Sequence, residues 1–401
     1  MSLNDTTSSE RIHISFFGLR NAGKSSLVNA LTGQALAVVS DVKGTTTDPV
    51  KKAMELLPLG PVLIIDTAGL DDTGELGALR IQKTYQVLHQ TDIAVLVVDA
   101  RVGLSEQDKA LLSRFAARQL PYLIVWNKID LLETRPVCKQ NEICVSTVTG
   151  EGIHQLKQQL GTFHHKKESE KHIVADLLTP KDIVVLVIPI DQSAPKGRLI
   201  LPQQQTIREI LDARCTVICC QDTELTDTLR TLNQKPRLVI TDSQAFGRVS
   251  RDVPADIPLT SFSILFARYK GELVPLVRAA AKLSALHDGD QILISEGCTH
   301  HRQCGDIGTV KLPHWIAEFS GVKPRYTFTS GGEFPENLED YALIVHCGGC
   351  MLHEKEMKHR IHTASVSGVP IVNYGIAIAH IHGILARSLE IFPEILALLN
   401  E

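Results

Sequence analysis

The sequence predicts an α/β protein of three α/β domains: an N-terminal P-loop domain followed by two smaller domains with mainly parallel sheets. Three observations predict this. A chain of 401 residues is too long for one typical core and fits two or three domains. Short apolar runs of strand length alternate with helical patterns along most of it. A glycine-rich stretch at 18–25 lies between the first such run and the first helix. Apolar residues at 44% and charged residues at 21% are ordinary for a globular protein, and a net charge of −4 gives no global basic field to recruit nucleic acid. Residues 1–10 are polar and lack the apolar segment of a secretory signal. The apolar runs, such as 183–190, fall far short of the roughly 20 residues a membrane span needs. The expectation is a cytoplasmic protein without membrane attachment. Its nine cysteines are then reduced, and clustered ones serve as metal ligands or redox groups rather than disulfides.

Residues 11–17 form a strand that runs into Gly18-Leu-Arg-Asn21-Ala22-Gly23-Lys24-Ser25, a match to G-x-x-x-x-G-K-S. Residues 26–32, from Ser26, open a short helix that Gly33 stops. In this context backbone N–H groups of the loop cradle phosphates at the helix N-terminus. Lys24 reaches the β/γ-phosphates and the Ser25 hydroxyl holds Mg²⁺. The strand at 62–65 ends in Asp66-Thr-Ala-Gly69, the D-x-x-G pattern, and the strand at 93–98 ends in Asp99. The strand at 123–126 ends in Asn127-Lys128-Ile129-Asp130, the N-K-x-D pattern, and the one at 142–145 ends in Ser146-Thr147. Each group lies beyond the C-terminal end of a strand, where open α/β sheets bind ligands. Asp130 selects guanine, because its carboxylate accepts from both N1–H and the N2 amino group, a donor pair adenine lacks.

Four motifs in this order make residues 11–163 resemble a GTPase of the TrmE/Era-like branch. The resemblance implies slow hydrolysis of GTP to GDP and phosphate, accelerated by K⁺. It makes residues 44–48 switch I, with Thr45 beside the nucleotide and Thr46 a second Mg²⁺ ligand. Asn21 matches the asparagine that accompanies K⁺ dependence, where K⁺ supplies positive charge near the phosphates. Lys24 and Thr46 are then catalytic positions. Leu70 stands where Ras-like proteins carry the water-positioning glutamine, and Glu75 is a further candidate for that role.

Residues 164–181 are charged and serve as a linker. Strands at 183–190, 216–220 and 238–241, separated by helical patterns at 203–213 and 223–233, make a small α/β domain, so that linker and domain occupy 164–265. It carries no catalytic constellation, and Cys219 and Cys220 fall in an apolar strand and are expected in its core. A domain with no site of its own is a candidate for homodimerisation. The last domain, 266–401, alternates a helix at 272–286, strands at 291–295, 326–329 and 342–345, a helix at 353–367 and a strand at 371–374. Cys298 follows one of these strands and Cys347 another. If those strands are parallel neighbours, the two cysteine loops meet at one rim of the sheet.

Cys347-Gly-Gly-Cys350 is a C-x-x-C whose glycines let backbone fold tightly around an ion or cluster. With Cys298 it offers three thiolates, which suit Zn²⁺ closed by His300 or His346, or a 4Fe–4S cluster with one non-cysteine position. A metal-free redox pair is a third possibility. C-x-H, a spacer, then H-C-x-x-C, downstream of a TrmE-like GTPase and a small middle domain, resembles the HydF family of FeFe-hydrogenase maturation GTPases over essentially the whole chain. The resemblance implies a 4Fe–4S cluster on Cys298, Cys347 and Cys350, with His300 and His346 as fourth ligand or as orienting groups. It implies a scaffold or carrier for the hydrogenase's diiron subcluster, with radical-SAM maturases and apo FeFe-hydrogenase as partners. Cys304 lies outside the motif, and His301 and His353 fit a plain surface role. The rival from another class is an RNA-processing or ribosome-assembly GTPase with a zinc-binding C-terminal module. The absence of a basic stripe and an aromatic content of 5% speak against nucleic acid. A third reading is a purely structural cluster in an oligomeric regulatory GTPase.

Overall fold

The computed structural model describes residues 8–33, 49–57, 59–69, 75–163, 171–190, 199–297, 306–335, 337–350 and 352–399, without the side chains of 75–80 and 82. Thr45, Thr46, Leu70, Cys298, His300, His301, Cys304 and the Glu75 side chain lie outside the described residues. Packing divides the chain into two compact units, Met1–Ser169 and Glu170–Glu401.

The first unit is built on one six-stranded sheet. Its strands are β1 (Ile12–Phe17), β2 (Val50–Leu56), β3 (Gly60–Asp66), β4 (Ile93–Asp99), β5 (Tyr122–Asn127) and β6 (Glu142–Cys144), in the order β2-β3-β1-β4-β5-β6. All neighbours are parallel except β2, which lies antiparallel to β3. The central strands are continuous apolar runs because helices cover both faces. Phe16 packs on one face with Leu27 and Leu156, while Phe17 packs on the other with Leu111 and Phe115. Each such buried side chain contributes about 2 kcal/mol. Helix Lys24–Thr32 starts from Gly23 and stops at Gly33, whose N–H donates to Asn29 O at 2.9 Å. Ser105 and Asp108 close a reciprocal capping box on helix Glu106–Ala117. Strand β2 is Val-Lys-Lys-Ala-Met-Glu-Leu, an edge strand too polar to stand out in the sequence.

The second unit holds two parallel four-stranded sheets. One contains β7 (Ile183–Val187), β8 (Thr216–Cys220), β9 (Leu238–Thr241) and β10 (Leu259–Ser261), in the order β10-β9-β7-β8. The other contains β11 (Gln291–Glu296), β12 (Arg325–Ser330), β13 (Leu343–His346) and β14 (Ile371–Asn373), in the order β12-β11-β13-β14. A single hydrophobic core runs through both, from Val185 and Ile240 to Ile294 and Val345. Helix Phe262–Lys270, capped by Ser261 Oγ accepting from Ile264 N at 3.2 Å, joins the sheets and runs across position 265. Asn373 Nδ2 donates to Ser263 O at 3.1 Å, and Thr260 Oγ1 to Ser388 O at 3.0 Å, so polar bonds also tie the two sheets.

Several expectations are corrected. Strand β7 ends at Val187, three residues short of 190, and Ile190 is exposed. The helix expected over 272–286 divides into Leu273–Ala279 and a 3-10 segment, Ala280–Ala285. Cys219 is exposed, not core, while Cys220 is half-buried and packs against the core. The reason is position: β8 is an outer strand, so its apolar run is covered incompletely.

Candidate functional site

In the first unit the loop after β1 and the loop after β5 lock together. Gly23 has a φ of 93°, and a Cβ there would sit 2.2 Å from Asn127 Nδ2. Only glycine meets both demands. Asn127, fully buried, donates from Nδ2 to Ala22 O at 3.0 Å, and its Oδ1 has no protein partner. Lys128, in the left-handed region at φ 65°, donates from Nζ to Asn21 O and to Asp99 Oδ2, the latter at 2.8 Å. Asn21 is itself left-handed at φ 59°, with its side chain exposed. The Arg101 guanidinium grips Asp99 through Nε at 3.0 Å and Nη2 at 2.7 Å. Arg101 foremost, with Lys128 behind it, holds the Asp99 carboxyl well below the usual range against its partial burial.

The phosphate and metal positions are prepared in the same way. Lys24 is buried and its ammonium donates to Gly18 O at 3.0 Å and Leu19 O at 2.8 Å. Gly18 at φ 138° would place a Cβ 2.2 Å from Val97 O, so the loop leaves β1 pressed against β4. Ser25 Oγ donates to Asp66 Oδ2 at 2.6 Å, while Asp66 Oδ1 is buried and has no protein partner. Burial raises the Asp66 pKa, opposed by the Ser25 bond and the Lys24 charge. A hydroxyl and an orphaned buried carboxylate oxygen side by side are a donor set suited to Mg²⁺. Ser26 and Gly69 are half-buried beside these groups in sequence. At the base end, Ser146 Oγ donates to Asp130 Oδ1 at 2.6 Å and accepts from Thr149 N at 3.1 Å. Asp130 is exposed and Thr147 half-buried, which leaves the carboxylate oriented and open to a ligand.

The thiol site depends on the second unit. Strands β11 and β13 are parallel neighbours with Ser295 opposite His346, so residues 297 and 347 leave the sheet side by side. Cys347 N donates to Ser295 O at 2.9 Å, and Cys347 Sγ accepts from Gly297 N at 2.9 Å and Gly349 N at 3.4 Å. Cys298 follows Gly297 directly. Among the described residues no group of three His, Cys, Asp or Glu side chains is gathered for a metal, and Cys298 and His300 are not among them. Two half-buried thiols of a C-x-x-C loop, one receiving amide hydrogen bonds as a thiolate does, suit a soft metal or cluster.

His346 is fully buried. Its Nδ1 lies 2.7 Å from Cys347 O, and its Nε2 lies 3.0 Å from Arg360 Nη1. A carbonyl only accepts and a guanidinium only donates, so the ring is the neutral Nδ1–H tautomer with both nitrogens engaged. It positions the cysteine backbone. Arg360, also fully buried, further donates from Nη1 to Ser295 Oγ at 3.3 Å and from Nη2 to Gly331 O at 2.9 Å. It pairs with Glu356 through Nε at 2.9 Å. At the end of β11, Tyr374 donates to the buried Glu296 carboxylate at 3.4 Å. Burial first, then the negative charges of Cys347, Glu296 and Asp306, push the Tyr374 phenol far up. Arg360, Glu296, Tyr374 and the buried Lys270 carry no motif in the sequence. The Glu356–Arg360 spacing of four resembles any exposed helical ion pair.

Residues 173–271 match the family model of the hydrogen maturase F dimerization domain, and residues 274–391 match that of its tetramerization domain. Together they take in more than half of the chain, with the C-x-x-C loop inside the second. The chain belongs to the hydrogen maturase F family. Residues 13–128 match a model described as a 50S ribosome-binding GTPase, so the maturase carries its switch as an N-terminal GTPase domain. The tRNA modification GTPase MnmE of Nitrosomonas europaea is 40% identical over 156 residues, covering 38% of this chain and 34% of the relative. MnmE of Laribacter hongkongensis gives the same values. The maturase thus spans about a third of the length of these curated relatives. Among solved structures, Aquifex aeolicus Era bound to GDP and aluminium fluoride is similar at 17% identity and a TM-score of 0.35, covering 55% of this chain and 98% of that one.

Proposed function

We propose that this maturase works in the cytoplasm as a GTP-driven scaffold or carrier, delivering the diiron subcluster to apo FeFe-hydrogenase after radical-SAM maturases have prepared it. GTP is bound by the loop from Gly18 to Ser26 and by the Asn127–Asp130 and Ser146–Thr147 groups, with Ser25 and Thr46 on Mg²⁺ and Asn21 beside K⁺. Cys298, Cys347 and Cys350 hold a 4Fe–4S cluster, with His300 left as a candidate fourth ligand and His346 as an orienting group. The observation that carries the reading is the parallel pairing of β11 and β13, which sets Cys347 Sγ 2.9 Å from the amide preceding Cys298. When bound, the cluster supplies an iron with a non-cysteine position at which a diiron unit is presented.

GTP hydrolysis, in this reading, biases partner binding and release through the switch segments rather than driving iron chemistry. K⁺ accelerates it by adding charge at the phosphates. The test is maturation of apo-hydrogenase in a complete GTP-dependent system. Asp130→Ala and Cys347→Ala are each expected to abolish maturation while the protein stays folded. Normal maturation by Asp130→Ala contradicts the coupling, and normal maturation by Cys347→Ala contradicts the cluster site.

A further inference from the structure

Behind the C-x-x-C loop lies a charge that the motif does not contain. Lys270, the last residue of helix Phe262–Lys270, is 4% exposed. Its ammonium donates to Cys350 O at 2.8 Å and lies 3.3 Å from both Gly349 O and Leu352 O. An ammonium has three donors, and a buried one is tolerated only where acceptors meet it. Here three carbonyls of the loop that follows β13 do so. Their peptides are thereby turned with oxygens toward the helix. On the other side of the same loop, Gly349 N–H faces Cys347 Sγ at 3.4 Å, with Gly349 left-handed at φ 60°. The last turn of a helix also favours a cation. The helix follows β10 directly and packs in the core shared with the β11–β14 sheet, so the loop is held by a residue from outside its own sheet.

We infer that Lys270 is the positioning residue of the cluster loop, fixing the Cys347–Cys350 backbone and supplying a buried positive charge that raises the reduction potential of the bound cluster. The inference rests on the cluster site proposed above. Net charge and hydrogen bonding near the sulfurs are the protein's means of tuning such a potential, and a nearby cation favours the reduced, more negative form.

The test uses the full-length protein as wild type, Lys270→Met and Lys270→Arg, with Lys270→Gln as the neutral variant if Met prevents folding. In the metal-free protein, amide hydrogen exchange over residues 347–352 is expected to quicken by at least about tenfold in Lys270→Met. After anaerobic reconstitution with ferrous iron and sulfide, an EPR-monitored redox titration is expected to give a lower midpoint for Lys270→Met and one near wild type for Lys270→Arg. Unchanged exchange with an unchanged midpoint overturns the inference. So does faster exchange with an unmoved midpoint, which leaves Lys270 a packing residue. A wild-type protein that takes up no cluster overturns both this inference and the reading beneath it; wild-type cluster with unshifted variants overturns this inference alone.

Discussion

Asp99 shows how single residues set the nucleotide site. It touches no described backbone of the phosphate loop, yet it fixes Lys128, which in turn holds Asn21 O. Because Arg101 and Lys128 depress its pKa below the ordinary 3.8 of an aspartate, the pair's stabilisation is fully present above that pH and is lost as pH falls from 3.8 through the lower folded value. Arg101 is about half exposed, so solvent screening weakens the pair. Asp99→Asn is therefore expected to lower the urea midpoint of the GTPase domain at pH 7. The difference from wild type should shrink when the same titration is run at pH 3. An equal difference at both pH values contradicts the assignment.

At the scale of elements, β11, β13 and helix Glu354–Val366 form the frame of the thiol site. Arg360 rises from that helix to bond Ser295 on β11, His346 on β13 and Gly331 O, with Glu356 neutralising it one turn back. Replacing a buried pair's cation leaves the carboxylate and three acceptors without it, a loss of about 3 kcal/mol. Arg360→Met is expected to lower the unfolding free energy of the second unit by that amount in guanidinium titrations, and an unchanged midpoint contradicts the frame. What was legible in the sequence at this scale follows physical lines. The strands beneath Asp66, Asp99, Asn127 and Cys347 stand out because central parallel strands are continuous apolar runs. Strands β2 and β10 do not: β2 is polar, and β10, Leu-Thr-Ser, offers only one apolar residue. The nucleotide groups and the cysteines are local patterns, visible one after another. Lys270 and Arg360 are visible only once helices from separate parts of the chain close over the loop, and nothing in their own neighbourhoods distinguishes them from surface charges.

For the whole molecule, the arrangement is a GTPase domain joined to a unit in which the dimerization and tetramerization domains share one core. The chain thus carries dedicated oligomerisation domains, and among the described residues no helix is long and apolar enough to cross a membrane. The thiol loop is bonded by Lys270 from the helix that follows the first small sheet, so both family domains and the thiol loop belong to one packed body. The central claim is the identity of what the three cysteines hold, and it is tested most directly by anaerobic reconstitution with iron and sulfide. Iron, sulfide and zinc are then assayed, and EPR spectra recorded on the dithionite-reduced protein. The account predicts about four irons and four sulfides per chain with a reduced-cluster signal, all lost in Cys347→Ala. Tightly held zinc at about one per chain with no cluster formed contradicts it and makes the thiol site a zinc site.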